Sequence, residues 1–110
     1  MLNQTILVGR LVNEPTIEEL ESGTKVAKIT LAVPRNYKND DGVYETDFIP
    51  VVLFDRIAKN THEYVDKGDV IAIHGRLQMS NEILDGIKTD DFKLKVIAEK
   101  VSFLSSKSEK

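Results

Sequence analysis

The stretch DFIPVVLFDRIAKNTHEYVDKG, residues 47–68, changes period partway along its length. In residues 47–54, Ile49, Val51 and Leu53 alternate with Phe48, Pro50, Val52 and Phe54, and residues two apart share one face of a strand. From Asp55 onward, Ile57, Ala58, Thr61, Tyr64 and Val65 recur at the three-and-four spacing of one helix face. Asp55 is a residue type that caps helix starts, and Lys67-Gly68 offers a left-handed stop. The stretch predicts a strand that runs directly into a helix.

Outward from this segment, period two dominates. Residues 26–33 set Ala27, Ile29, Leu31 and Val33 against Lys28 and Thr30, the pattern of a half-buried strand. Residues 5–11, TILVGRL, are rich in β-formers, and Gly9 within them marks a bend or bulge. Beyond the helix, residues 70–77 align Ile71, Ile73 and Leu77. Residues 92–103 form the longest candidate, and their apolar parity changes between Ala98 and Val101, which predicts a bulge or kink. The polar stretches 35–45 and 79–91 are expected to be loops, with Asp41-Gly42 and Asp85-Gly86 as hairpin turn signals. The tripeptide Gly-Arg-Leu at Gly9 recurs at Gly75, too short a match to carry structural weight. Three strands, a helix and two strands is the order of the OB-fold, a five-stranded Greek-key barrel that is all-β except for one helix between strands 3 and 4. A small β-sandwich with one helix has a similar order; the bent first strand and the helix position favour the barrel.

A length of 110 residues allows one domain. We expect it to span residues 1–104, with 105–110 (SSKSEK) as a short disordered polar tail. The chain has no cysteine, which excludes disulfides, thiolate nucleophiles and Cys-ligated zinc. A disulfide-free small domain suits the cytoplasm. The longest apolar run, residues 49–54, falls far short of the roughly 20 residues of a spanning helix. Fifteen Lys and Arg against 18 Asp and Glu leave a formal charge of −3, which at first sight disfavours a nucleic-acid partner. The acids are unevenly spread, however. Glu14, Glu18, Glu19 and Glu21 form one group and Asp85, Asp90 and Asp91 another, so whole-chain charge is a poor guide to any one face. Both groups are expected to lie away from the binding groove.

Nothing points to catalysis. His62 and His74 are the only histidines and neither has a partner at ligand spacing. Asp40-Asp41 and Asp90-Asp91 fall in turn regions that explain them. No phosphate-cradling loop, nucleophile elbow or metal motif is present, so no catalytic residue, metal or cofactor is expected. The aromatic residues are more informative. Tyr37 lies between Asn36 and Lys38, in a polar stretch with little core to join. Phe48 and Phe54 share a strand face with Pro50 and Val52, and period alone leaves two readings: a strand buried on both sides, or an exposed platform on which bases stack. Cations interleave with these rings, namely Arg35 and Lys38 around Tyr37, Arg56 and Lys59 after Phe54, and Arg76, Lys93 and Lys95 in the later strands. A single-strand groove combines those two residue types, because phosphate contacts supply affinity while stacking holds the bases.

The segments MLNQTILVGRL (1–11), KVAKITLAV (25–33), DFIPVVLFDRIAK (47–59), VDKGDVIAIHGRL (65–77) and AEKVSFL (98–104) resemble, in order, the bacterial single-stranded DNA-binding protein family. The resemblance implies an OB-fold that binds single-stranded DNA without strong sequence preference in replication, recombination and repair, usually as a homotetramer. It places base stacking on Tyr37, Phe48 and Phe54, and phosphate contacts on Arg56 and Lys67 and also on Arg35 and Arg76. The chain departs from the family at three points. A stacking aromatic after the fourth strand has no counterpart, its position falling near Glu82. Pro50 replaces a commonly polar or basic residue, and a proline without a ladder donor predicts a bulge or an edge there. The family's long linker and acidic tip are missing from a chain that stops at Lys110, which suggests a short form or a trimmed sequence. A different class of function, an OB-type accessory or adaptor acting mainly through protein contacts, would fit the missing aromatic and the acidic total.

Overall fold

The computed structural model describes residues 1–84 and 87–104, with side chains described outside 81–92. The elements are β1 (Thr5–Leu11), β2 (Ile17–Glu19), β3 (Lys25–Lys38), β4 (Tyr44–Phe54), α1 (Asp55–Tyr64), β5 (Val70–Leu84) and β6 (Ile87–Phe103). The sheet order is β1-β5-β6-β4-β3-β2, and β1 also pairs with β3, which closes five strands into a barrel. The five strands expected from periodicity are β1, β3, β4, β5 and β6, and α1 lies between the third and fourth of them. β2 is an addition, a three-residue strand on the free edge of β3 at Lys25, Val26 and Ala27.

The alternating residues fill the barrel. Ala27, Ile29 and Leu31 of β3, Val51 and Leu53 of β4, and Ile71 and Ile73 of β5 are fully buried together, with Ala58 and Val65 closing one side. Burying the Val, Leu and Ile side chains among them supplies about 1.5–3 kcal/mol each. No described aromatic belongs to this core, which is built from aliphatic side chains.

Two close approaches make closure possible. β1 pairs with β5 from Thr5 to Arg10 and with β3 at Arg10 and Leu11, so it changes partner just after Gly9. A Cβ at Gly9 would lie 2.8 Å from the Ala32 carbonyl oxygen and 2.9 Å from Val33 Cγ2. In the β5–β6 ladder His74 pairs with Lys100 but Gly75 pairs with Ala98, leaving Glu99 as a bulge, between the residues where the apolar parity changes. At Gly75 a Cβ would run into the Ile97 carbonyl. The two Gly-Arg-Leu tripeptides therefore do carry structural weight, because each begins at a point where a neighbouring strand leaves no room for a side chain.

Several local expectations need correction. The stretch 35–45 is mostly strand: β3 runs to Lys38, β4 starts at Tyr44, and only 39–43 turn, with Gly42 at φ 77° and the Asn39 side-chain oxygen accepting from the Asp41 and Val43 amides. The stretch 79–91 is likewise taken up by β5 and β6, while Asp85-Gly86 and 105–110 lie outside the described residues. Polar residues interrupt the apolar alternation in these segments, which hides the strands from a reading by period. Asp55 does not cap α1. It is the first helical residue, at φ 49°, and its carboxylate accepts from the Lys25 amide instead. The helix ends at Tyr64, before Lys67-Gly68, whose glycine adopts φ 97° in the following turn. Tyr64 is exposed rather than in the core, tilted against Phe103 at 6.1 Å between ring centroids. The β3–β4 ladder passes through Thr30↔Pro50 without a bulge, but β4 pairs with β6 only at Val51 and Val52. Pro50 therefore sits at an edge toward β6, as a residue lacking an N–H requires.

Candidate nucleic-acid interface

The register builds one continuous outer face. Phe54 lies beside Val26, Val52 between Lys28 and Ile97, Phe48 beside Ala32, and Arg76 beside Ile97. Val26, Val52 and Ile97 form a small buried cluster on this outer side, and the phenylalanines of β4 stand around it. Phe48 is 63% exposed and Phe54 38%. Of the two readings that period left open, the rings follow the exposed one, although Val52 on the same parity is buried. Tyr37, 59% exposed, is not in a loop. It lies where the β3–β4 register slips between Pro34 and Lys38, on the arm formed by the two strands.

The cations divide into two groups. Arg35 is taken up by acids of β4: its Nη2 donates to Asp47 Oδ1 at 2.9 Å, its Nε donates to both carboxylate oxygens, and Glu45 lies 3.7 Å away. Hydrogen bonding to this guanidinium holds the Asp47 carboxyl below its ordinary value, and the same bond raises the arginine. A depressed carboxyl keeps its pairing above the ordinary carboxylate range and loses it only as pH falls through the depressed value, so the pair is closed at neutral pH. Arg56 is exposed on the first turn of α1, directly after Phe54. Arg76 is half-buried and donates to the Gln78 side chain at 2.8 Å. Lys67 is exposed at the far end of α1, and its amide donates to the Glu14 carboxylate at 3.1 Å. The face thus brings together Phe48, Phe54 and Arg76, with Arg56 two residues past Phe54 on the first turn of α1; Tyr37 and Arg35 lie on the paired ends of β3 and β4, and Lys67 lies apart beside an acid.

One residue outside the sequence-derived set joins the face. Tyr44 shares the β4 parity of Phe48, is 55% exposed, and has Lys38 Nζ 5.7 Å from its ring centroid. Extending the β4 stripe by two alternations would have found it, but its surroundings read as loop. The acids also need revision. Glu18 of β2 pairs with Val26, which pairs with Phe54, so this acid lies two strands from the ring on the same face, about 10 Å away at normal strand spacing. The first acidic group is therefore not wholly clear of the groove, and the side chains of the second lie outside those described. Among the described residues, no group of three His, Asp or Glu could hold a metal ion, and no helix is long and apolar enough to cross a membrane.

Comparison with known proteins gives this face a context. The model of the single-strand binding protein family matches residues 2–104. The chain is 41% identical over 109 residues to the single-stranded DNA-binding protein 1 of Staphylococcus aureus strain Mu50, covering 98% of this chain and 69% of that protein. It is 42% identical over 109 residues to the single-stranded DNA-binding protein 2 of the same strain, covering 98% and 76%. With a family match across nearly the full length and relatives at this identity, the chain belongs to the single-strand binding protein family.

Proposed function

We propose that this chain binds single-stranded DNA without strong sequence preference and that residues 1–104 are the binding domain. In this reading Tyr37, Phe48 and Phe54 stack bases, Arg56, Arg76 and Lys67 contact phosphates, and Arg35 contacts a phosphate once it is released from Asp47. The observation that carries it is the placement of the aromatics: every described ring is at least 38% exposed, and none is used in the core. A stacking platform needs rings facing solvent, and it is sequence-tolerant because every base has a π-face. The role is one of binding rather than catalysis, protecting and organising DNA in replication, recombination and repair in the cytoplasm.

The chain acts as a homotetramer in this proposal. Supporting that, Ile6 (73% exposed) and Val8 (51%) form an apolar row on β1, beside Ala72 and His74 of β5 and away from the rings. Titration of labelled oligo-dT between 50 and 200 mM salt, with light scattering alongside, tests both parts. We expect binding whose logarithm falls with log salt at about 0.7 per phosphate contacted. No binding, or no salt dependence, refutes the DNA reading; a monomer at micromolar concentration refutes the tetramer.

The Arg35–Asp47 pair yields a separate expectation. Asp47→Asn removes the main competitor for the guanidinium, so oligo-dT binding tightens and the salt slope steepens by about 0.7, the value of one added contact to a single strand. An unchanged slope would exclude Arg35 from the DNA path.

A further inference from the structure

The β4–β6 seam opens where its ladder ends. Beyond Val51 toward the N-terminus of β4, Pro50 has no N–H to donate and the two strands separate. A cleft of about 290 Å³ forms there, and a second of about 460 Å³ shares Pro50, Leu94 and Lys95 as walls with the first. The smaller cleft is lined by Lys28 from β3 and by Lys93 and Lys95 from β6, over a floor that includes Pro50, Val52 and Leu94. No described residue lining it is acidic. The register puts all three lysines on the outer face: Lys28 is level with Val52, and Lys95 and Lys93 continue the parity of Ile97. Lys28 and Lys93 are exposed and Lys95 is half-buried.

We propose that Lys28, Lys93 and Lys95 form a phosphate-binding subsite for single-stranded DNA at this cleft, carrying the strand's path from Phe54 and Phe48 across β4 onto β6. The inference rests on the DNA-binding reading above and adds residues to it. Three lysines from two non-adjacent strands line one recess with an apolar floor. The matching ligand is a flexible polyanion whose sugars and bases cover apolar surface while its phosphates meet cations. The adjoining cleft is lined by Phe48, with Asp47 next to it, and shares Pro50, Leu94 and Lys95 with the recess, so a strand stacked on Phe48 reaches the recess across these walls.

The test compares the wild-type chain, a triple variant Lys28→Gln, Lys93→Gln, Lys95→Gln and the matching triple Lys→Arg variant in oligo-dT titrations across 50–200 mM salt. The Gln variant is expected to lose about 2 from the salt slope, three contacts at about 0.7 each, and on the order of 100-fold in affinity at low salt, whereas the Arg variant keeps the wild-type slope. A wild-type slope in the Gln variant, with wild-type protein binding normally, overturns the subsite and leaves the DNA reading intact. Loss of slope in the Arg variant as well also overturns it, since charge would then not be the cause. Failure of the wild-type chain to bind refutes the parent reading and the subsite together. If the triple Gln variant melts early, the single changes at the exposed Lys28 and Lys93 decide: each lowers the slope by about 0.7 if the subsite is real and leaves it unchanged if it is not.

Discussion

Phe48→Ala is expected to weaken oligo-dT binding by about 5- to 150-fold, the range of the roughly 1–3 kcal/mol carried by one base stacked on an aromatic ring. The same change is expected to leave the fold almost untouched. Phe48 is 63% exposed and lies outside the core cluster, so its removal creates no cavity. Surface changes of this kind stay within about 0.5 kcal/mol, which for a domain of this size moves the melting temperature by no more than about 4 °C. Binding and melting must therefore separate. A fall of 10 °C or more would show that the ring packs as core, and unchanged binding with an unchanged melt would remove Phe48 from the interface. Phe54 should behave less cleanly. At 38% exposure it lies beside Val26 and sits at the N-cap of α1, so Phe54→Ala should cost both affinity and some stability.

Gly75→Ala is expected to cause the largest loss of stability among single methyl additions. The added Cβ would collide with the Ile97 carbonyl and lie 3.2 Å from Ala98 Cα, and these are backbone atoms of a paired strand rather than side chains able to rotate away. Overpacking of a tight site costs about 1–3 kcal/mol and sometimes more, and at 4–8 °C per kcal/mol a melt lowered by about 4–24 °C should result. Gly9→Ala should cost less. One of its two nearest neighbours is Val33 Cγ2, which can move, while the Ala32 carbonyl at 2.8 Å cannot. Thermal unfolding followed by circular dichroism measures both. A Gly75→Ala melt within 2 °C of wild type would mean that β6 can shift its bulge at Glu99 without penalty, contrary to the register found here.

The expected and observed folds differ in instructive places. Residues 5–11 and the alternations at 27–31 and 49–53 were readable because each strand's inward parity is apolar and the barrel has a single interior. The strand segments at 35–38, 44–45 and 79–84 read as loops because polar residues interrupt the apolar alternation there. The Asp55 cap failed for a tertiary reason: its carboxylate is drawn to the Lys25 amide on a strand 30 residues away. Of the proposed contact residues, Phe48, Phe54 and Arg76 share the outer face. The Arg35 guanidinium faces a carboxylate 12 residues on, and the Lys67 backbone amide donates to Glu14 across 53 residues.

By itself the sequence determined the order of strands and helix, the aliphatic make-up of the interior and the likeness to a family. Those properties are local: side-chain direction alternates along any strand, and burial selects on that alternation. Only the tertiary structure decided which side chains on the outer face are covered and which are free to bind. Val52 and Phe48 have the same parity, yet one is enclosed by Val26 and Ile97 while the other faces solvent. Lys28 and Lys95 are 67 residues apart in the chain, yet they line one cleft because β4 pairs with both their strands and releases β6 at Pro50. Neighbours of this kind follow from strand pairing and register between distant segments, which alternation within a strand does not encode.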